Sequence, residues 1–263
     1  MTDTTTPKSP MSKTSSAPGT DDTTEGVGVA AVNRALSLLA AFSKEQRSFT
    51  LTQLSEHTGL YKSTVLRLAE SLEAAGYLYR DREGIYTLGP APLRLAALYR
   101  SSLHPSEFVM PALRELSRVT GESAALYTRA GNKRLCAYRI SSPRAISDNV
   151  QQDELLPLDK GAGGHVLQAF AGEAGERYDA IRSSGYCLTL GERDQETAAM
   201  ACPIFGVEQK LEGALSVSGP LHRFTPEAVH TIHQHLMATA AKVTMHFGGD
   251  PTVFSLSTPP KGF

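Results

Sequence analysis

Residues 50–88 read TLTQLSEHTGLYKSTVLRLAESLEAAGYLYRDREGIYTL, and this stretch decides the fold of the N-terminal region. Thr50 and Gln53 have the spacing of a capping box, in which each side chain binds the backbone amide of the other residue at a helix start. Gly59 suits the left-handed conformation that ends a helix, so the pattern predicts a first short helix over residues 50–58.

A second helix is predicted for residues 61–75, because Gly76 ends the apolar repeat that runs through it. Residues 77–80 and 85–88 are typical of two short strands, and Gly84 supplies the positive φ that the turn between them needs. Two helices joined across a glycine and followed by a hairpin form a winged helix-turn-helix. This layout makes DNA the first partner to consider.

The second helix of this unit has a core-facing side and a free side. Val65, Ala69 and Leu72 share one side, whereas Ser63 and Arg67 lie on the other. Amides and hydroxyls of the first turn are able to hydrogen-bond a phosphate, and Arg67 is able to hydrogen-bond a base edge. Arginines on the hairpin are expected to contact the DNA backbone. The alternative is a solvated face, or a helix-turn-helix that binds protein. The residues predicted to contact DNA are Tyr61, Lys62, Ser63, Thr64, Arg67, Arg80 and Arg82.

Helices are also predicted on either side of this unit. Residues 29–43 place Val32, Leu36 and Leu39 at helical spacing, so their apolar stripe is expected to be buried beneath the helix pair. A Gly-Pro pair ends the unit, and the apolar spacing in residues 92–102 predicts a short helix that joins the two halves of the chain.

The composition fits a two-domain protein and gives limited support for nucleic-acid binding. The chain has 263 residues, 41% of them hydrophobic, and a formal charge of −1. Residues 27–90 contain seven Lys and Arg against six Asp and Glu, whereas residues 104–250 contain fourteen against seventeen. The DNA prediction therefore depends on where the basic residues lie and not on net charge.

Several other classes of protein lack support in the sequence. Cys136, Cys187 and Cys202 lie far apart without Cys-x-x-Cys spacing, which indicates a reducing compartment and neither a disulfide framework nor a zinc knuckle. No apolar run reaches the roughly 20 residues that span a bilayer. Residues 1–26, rich in Thr, Ser and Pro, lack the apolar core of a signal peptide and are expected to be disordered. We therefore expect a cytoplasmic protein without a membrane partner.

Catalytic and metal-binding patterns are equally weak. No Gly-x-Ser-x-Gly, His-Glu-x-x-His or dinucleotide fingerprint is present, so neither an enzyme nor a cofactor is predicted. An enzyme that uses the turn at residues 161–165 remains a distant alternative. His230 and His233 share a helix face but His235 points away, so a solvated helix face is favoured over a metal site.

The second half of the chain alternates helix and strand patterns and predicts an α+β domain with a mainly antiparallel sheet. Residues 198–205 and 211–218 are apolar runs separated by a short connection, which is typical of a central hairpin. Thr225 and Pro226 have the character of a helix start, and the helix that follows is expected to close the domain. Further helices are predicted at 106–120 and from 162, and further strands at 123–129 and 133–140.

Five segments stand in a specific order and spacing: VNRALSLLAAF (32–42), LSEHTGLYKSTVLRLAESLEAAGYL (54–78), YTLGP (86–90), GAGG (161–164) and ALSVSGPLHRFTPE (214–227). Together they resemble the IclR family of bacterial transcriptional regulators over about residues 29–248. Tyr61 stands where the family usually has proline, which leaves the entry to the second helix less constrained.

The resemblance implies a winged helix-turn-helix at residues 27–90, a linker helix at 91–104 and an effector-binding domain at 105–250. The last of these has a curved antiparallel sheet flanked by helices, and residues 251–263 are expected to form a flexible tail. The resemblance further implies that the protein forms homodimers or homotetramers. These would bind double-stranded DNA at pseudo-palindromic operators and respond to a small organic acid. The alternative is a small-molecule-binding protein whose helix-turn-helix recruits protein.

Two features of the second domain suit a carboxylate effector. The glycine-rich turn before the helix at 162 exposes amides at the positive end of the helix dipole, although close backbone packing explains the glycines equally well. Two serines alternate on a strand, so their hydroxyls face one side, where they suit a ligand or solvent. The residues that the resemblance carries over as effector contacts are Gly161, Ala162, Gly163, Ser216 and Ser218.

The chain also departs from the family pocket. Thr189 stands where a relative that binds a small keto acid has aspartate, and Ala199 stands where it has cysteine. A pocket less polar than that of this relative is therefore predicted. Its effector is expected to be a carboxylate with a bulkier apolar or aromatic body than a small keto acid. The residues predicted to line it are Cys187, Thr189 and Met200.

Overall fold

The computed structural model describes Met1 and residues 28–43, 45–102 and 104–256, which divide after Ser102 into two compact units. The predicted disordered tail at residues 1–26 lies outside the described residues, apart from Met1. The N-terminal unit contains α1 (Ala30–Ala40), β1 (Ser48–Phe49), α2 (Leu51–Thr58), α3 (Lys62–Ala74), β2 (Leu78–Arg80), β3 (Tyr86–Leu88) and α4 (Ala91–Ser102). The C-terminal unit contains α5 (Pro105–Thr120), β4 (Ser123–Ala130), β5 (Lys133–Ile140), β6 (Leu155–Pro157), α6 (Ala162–Phe170), α7 (Glu176–Ser184), β7 (Cys187–Leu190), β8 (Thr197–Phe205), β9 (Leu211–Pro220) and α8 (Pro226–His246).

The N-terminal unit is the predicted winged helix-turn-helix. Both halves of the capping box are present: the Gln53 amide donates to Oγ1 of Thr50 at 3.2 Å, and the Thr50 amide donates to Oε1 of Gln53 at 2.8 Å. Gly59 follows α2 with a φ of 69°, so the helix ends where the sequence predicted. In the wing, Asp81 accepts hydrogen bonds from two backbone amides of the turn, and Gly84 takes a φ of 84°.

The core of this unit forms where α1, α2 and α3 meet a three-stranded sheet of order β1-β3-β2. Strand β1, which the sequence analysis missed, is only two residues long, too short for a periodic signal. The predicted burial of the α1 stripe is wrong for Val32 and Leu36, which are 53% and 56% exposed. Leu39 of the same stripe does pack against the core, next to the fully buried Leu38, so the prediction holds only for the C-terminal part of α1.

The C-terminal unit is built on a six-stranded antiparallel sheet of order β6-β5-β4-β9-β8-β7, curled into a half-barrel. The predicted hairpin β8–β9 is confirmed and pairs Met200 with Val217 and Ala201 with Ser216. The sequence analysis missed the short strands β6 and β7 and the helix α7, because they lie in polar stretches without a clear periodic pattern.

Both faces of this sheet are covered by helices. On one face α5 and α8 pack against Leu126, Met200 and Leu215, and we call this the α5–α8 core. On the other face α6 packs against Ala125 and Ala201, and we call this the α6 core. Because successive residues of a strand point to opposite faces, each strand position belongs to one core or the other.

Helix α8 closes the unit as predicted, with Val229, Ile232 and Leu236 buried. His233 is buried as well, with its ring centroid 4.8 Å from that of Tyr186, so the predicted solvated histidine face is wrong at this position. Neither α8 nor any other helix among the described residues is long and apolar enough to cross a membrane.

The expectation of a flexible tail from residue 251 is wrong for Pro251–Leu256. These residues form a 3-10 helix, and Phe254 is buried in the α5–α8 core. Its ring lies 6.3 Å from that of Phe205. The aromatic side chain holds the segment in place because burying it removes a large apolar surface from water. The remaining residues, 257–263, lie outside the described residues.

The capping box gives a direct test of the helix-turn-helix fold. Thr50→Ala removes the hydroxyl that accepts the Gln53 amide and should lower the free energy of unfolding by about 1 kcal/mol. Thr52→Ala, at an exposed position in the same helix, is the matched control and should change it by less than about 0.5 kcal/mol. Urea unfolding measures both, and equal effects of the two substitutions would contradict the capping role.

Candidate functional site

The first turn of α3 is exposed, as the DNA prediction requires. Tyr61 occupies the N-cap position of α3, but its side chain makes no capping hydrogen bond and is 86% exposed. Lys62, Ser63 and Arg67 are exposed as well. Thr64 is half-buried. None of these side chains is occluded within the unit, so the polar side of α3 is available to a nucleic acid.

The two wing arginines differ in their surroundings. Arg80 is exposed but lies over the ring of Tyr86, with 5.3 Å between the guanidinium carbon and the ring centroid. Arg82 is exposed and lies in the turn between β2 and β3. Arg82 therefore lies at the wing tip, as predicted. Arg80 lies in β2, with its guanidinium over the ring of Tyr86.

A groove of about 560 Å³ runs between α1 and α3 and contains a basic residue that the sequence analysis did not select. Arg34 of α1 lines this groove together with Ser63 and Arg67 of α3. The packing of α1 against α3 brings Arg34 beside the predicted DNA-contacting residues, and no local sequence pattern indicates this placement.

In the C-terminal unit, small side chains on the α6 side of the sheet leave a cavity of about 20 Å³. Ala199, Ser216 and Ser218 line it from the sheet, and Thr189 lines it from β7. Ala125 and Ala201, the partners of Ser216 on the neighbouring strands, are small as well. The start of α6 covers the cavity because Gly161 and Ala162 also line it.

The glycine-rich turn packs closely against the backbone, and two of its amides bind side chains of the chain itself. Gly164 is a packing residue, because a Cβ there would lie 2.2 Å from the carbonyl oxygen of Leu158. The amides before it bind polar side chains of the chain itself: that of Gly161 donates to Glu192 at 3.0 Å, and that of Ala162 donates to Thr189 at 3.2 Å. The positive end of α6 therefore holds an internal carboxylate.

Glu192 is the centre of a small charged cluster. Nε2 of His165 lies 2.8 Å from one of its carboxylate oxygens, and Nη2 of Arg177 lies 3.0 Å from the other. Partial burial alone would raise the pKa of Glu192, but the hydrogen bonds from His165 and the Gly161 amide outweigh it and lower the pKa. Glu192 thus ties the β7–β8 connection to the start of α6.

Arg134 of β5 is the main charged residue of the cavity that sequence reasoning missed. Its side chain is 4% exposed and lies over the ring of Tyr127 at 4.6 Å. It has neither an ion pair nor a hydrogen bond among the residues that the structure describes, and its Nε is buried without a partner. Burial, with the nearby charge of Arg193 as a smaller contribution, lowers the pKa of Arg134.

Nη atoms of Arg134 lie against the glycine turn. A Cβ on Gly163 would be 2.8 Å from Nη1, and a Cβ on Gly161 would be 3.2 Å from Nη2. Only glycine gives the guanidinium this approach to the helix start. The missed signal is the coincidence of a basic residue at an inward position of β5 with a glycine-rich turn elsewhere, which the sequence does not connect.

The serine pair lies on the predicted face, but its hydroxyls already have acceptors. Ser216 donates to the carbonyl of Met200 at 3.2 Å, and Ser218 donates to Oδ2 of Asp148 at 3.0 Å. Asp148 is buried and pairs with Arg139 at 2.6 Å. Arg134, Asp148 and Arg193 also line the cavity, so its lining contains charged groups that the sequence analysis did not include.

Two predicted lining residues lie elsewhere. Met200 packs in the α5–α8 core, because it points to the face opposite that of Ala199 and Ala201. Cys187 lies on the same face of β7 as Thr189 but packs in the α6 core and is not among the residues that line the cavity. Burial raises the pKa of the Cys187 thiol to about 12, so it stays protonated.

Comparisons with known proteins agree with this architecture. The sequence profile of the IclR helix-turn-helix domain matches residues 31–82, and that of the bacterial transcriptional regulator IclR C-terminal domain matches residues 175–245. The HTH-type transcriptional regulator KipR of Bacillus subtilis (strain 168) is 26% identical over 242 residues, which cover 82% of this chain and 96% of KipR. XynR of Escherichia coli (strain K12), an HTH-type transcriptional regulator, is 27% identical over 72% of this chain and 86% of its own.

A solved structure is also similar. A protein of Silicibacter sp. TM1040, solved as a candidate IclR transcriptional regulator, superposes with a TM-score of 0.76 at 29% identity and covers 84% of this chain and 97% of its own. The chain therefore belongs to the IclR family of DNA-binding transcriptional regulators.

The Glu192 cluster predicts a pH-dependent contribution to stability. Glu192→Gln should lower the free energy of unfolding near neutral pH by about 1.5–3 kcal/mol, because it removes charge-assisted hydrogen bonds to His165 and the Gly161 amide. A carboxylate with a lowered pKa in the folded state stabilises above its unfolded pKa, and this contribution disappears as pH falls through the folded value.

The difference between wild type and Glu192→Gln should therefore shrink below the ordinary glutamate pKa of 4.5. Urea unfolding at several pH values measures it. Glu196→Gln, an exposed residue of the same connection, is the control and should cause little change at any pH. A penalty for Glu192→Gln that stays constant into strong acid would refute the charged role.

Proposed function

We propose that this protein binds operator DNA through the start and polar side of α3 and that a small organic acid, bound at the cavity beneath α6, changes operator occupancy. Membership of the IclR family supports the general role, and the exposed first turn of α3 supports the choice of contact residues. Ser63 and Thr64 suit phosphate, and Arg67 suits a base edge in the major groove. Arg82 suits the backbone beside it.

One observation carries the effector part of the proposal: Arg134 is a buried cation without a carboxylate partner among the described residues. Removing a charge from water costs several kcal/mol unless a counter-charge compensates. Such a group at a cavity suits an anionic ligand that supplies the missing charge. A carboxylate fits the planar guanidinium, one face of which lies against the ring of Tyr127.

Effector binding regulates DNA binding only through different affinities for the DNA-competent and the incompetent arrangement. We propose that this difference is transmitted along the chain through residues 91–104, which include α4. The general test is a mobility-shift assay on the DNA upstream of the gene, at two salt concentrations and with a panel of organic acids. Absence of a salt-sensitive complex with this DNA would reject the operator role of α3.

Arg67→Ala tests the base contact. Loss of a bidentate base contact should weaken operator binding by about 1–3 kcal/mol and relax base preference at one position. Arg118→Ala, at an exposed arginine of α5 that pairs with Glu115, is the control and should leave binding unchanged. Fluorescence anisotropy on a set of operator variants measures both effects. Equal loss of affinity on every DNA sequence would assign Arg67 to the phosphate backbone instead.

Arg134→Met separates a ligand-binding role from a structural one. Methionine keeps much of the side-chain volume and removes the uncompensated charge, so the free energy of unfolding without ligand should stay unchanged or rise by up to about 2 kcal/mol. Stabilisation by organic acids in thermal unfolding should disappear. Arg129→Met, at an exposed arginine of β4, is the control and should retain that stabilisation. Marked destabilisation by Arg134→Met alone would indicate a structural role for Arg134.

A further inference from the structure

The charges around the α6 cavity do not balance. Arg134 and Arg193 line the cavity, and Asp148 is the one carboxylate in its lining among the described residues. One oxygen of Asp148 lies 2.6 Å from Nη2 of Arg139, and both of these side chains are buried. Its other oxygen accepts from Ser218 at 3.0 Å. Asp148 is therefore already neutralised by Arg139.

Arg193 gains little from the same carboxylate. Its Nη2 lies 3.8 Å from Oδ2 of Asp148, beyond hydrogen-bonding distance, and its side chain is 19% exposed. Glu192, its neighbour in the chain, points to the Gly161 amide, His165 and Arg177. Arg134 thus has no acidic partner among the described residues, and Arg193 has only its long contact with Asp148, whose charge Arg139 already balances.

These two arginines approach the same turn from different parts of the fold. A Cβ on Gly161 would lie 3.2 Å from Nη2 of Arg134 and 3.7 Å from Cβ of Arg193. Arg134 lies near the start of β5 and is 4% exposed, whereas Arg193 belongs to the connection between β7 and β8. The cavity therefore has an inner cation and an outer cation.

An outer groove of about 650 Å³ adjoins the outer cation. Asp148 and Thr197 line both the cavity and this groove, and Asp194, the residue after Arg193, lines the groove. The cavity itself, at about 20 Å³, holds no more than one or two water molecules. A ligand larger than water therefore reaches Arg134 only if side chains of the lining move, and the adjoining groove has room for the rest of it.

We propose that the effector is a dianion, specifically a small dicarboxylate, with one carboxylate on Arg134 at the start of α6 and the second on Arg193 at the mouth of the groove. This inference rests on the proposed function and narrows its ligand class. A monocarboxylate neutralises the inner charge only. A second carboxylate at matching distance neutralises the outer charge as well, and each charge-assisted pair adds geometric selection.

Calorimetric titration of the full-length protein with acids matched in carbon skeleton tests the proposal. The probes are butyrate against succinate, hexanoate against adipate, benzoate against terephthalate, and inorganic phosphate as a second kind of dianion. We expect at least one dicarboxylate to bind about tenfold or more tightly than its monocarboxylate counterpart. Equal affinities within every pair, or a preference for the monocarboxylates, would overturn the proposal and leave the proposed function intact.

Variants locate the second charge. Arg193→Gln should remove most of the advantage of the dicarboxylate and change monocarboxylate affinity by less than about twofold, whereas Arg193→Lys should restore part of it. Arg134→Met should abolish binding of both classes, and Arg129→Gln, at an exposed arginine, should change neither. Equal weakening of both classes by Arg193→Gln would assign Arg193 a general structural role and overturn the proposal.

Two further outcomes are decisive. Phosphate that binds more tightly than every dicarboxylate, with dependence on both Arg134 and Arg193, would overturn the choice of dicarboxylate. Failure of all the acids and of phosphate to bind, and to alter the mobility of the protein–DNA complex, would overturn the proposed function together with this inference.

Discussion

The structure of the C-terminal unit depends on one constraint, the covering of a single antiparallel sheet by helices on both of its faces. Each strand must then supply two different surfaces from alternate residues. Leu126, Met200 and Leu215 pack on the face under α5 and α8. Several positions on the opposite face are alanine or serine. These small side chains do not fill the space between the sheet and α6, and the cavity lies in that space.

Charge at this cavity is arranged at a cost to stability. Glu192 satisfies the positive end of α6, and Arg139 satisfies Asp148, so these buried groups have partners. Arg134 is the exception, because burial holds it against Tyr127 with no acidic group close by among the described residues. Under the proposed function, an anionic ligand would supply the counter-charge that the fold does not.

Local signals were sufficient for much of the fold. The capping box at Thr50, the left-handed Gly59 and the wing turn at Gly84 are each decided by a few neighbouring residues, and each has the predicted geometry. The long apolar runs of β8 and β9 and the periodic helix α8 were equally predictable, since burial imposes their periods. Short or polar elements such as β1, β6 and α7 carried no such period. Val32 and Leu36 also misled, because helical spacing defines a stripe but not what covers it.

By itself, the sequence determined the order of the longer elements, the winged helix-turn-helix, the resemblance to the family and the polar side of α3, because capping, turn conformation and periodicity act within a few residues. Tertiary structure alone decided which residues surround the cavity. It placed Met200 on the sheet face that packs against α5 and α8. It also brought Glu192 to the Gly161 amide, and Arg134 and Arg193 to the same turn. These contacts join residues about 30 to 60 positions apart, and no local rule specifies them, since they arise from strand register and from the packing of α6 on the sheet.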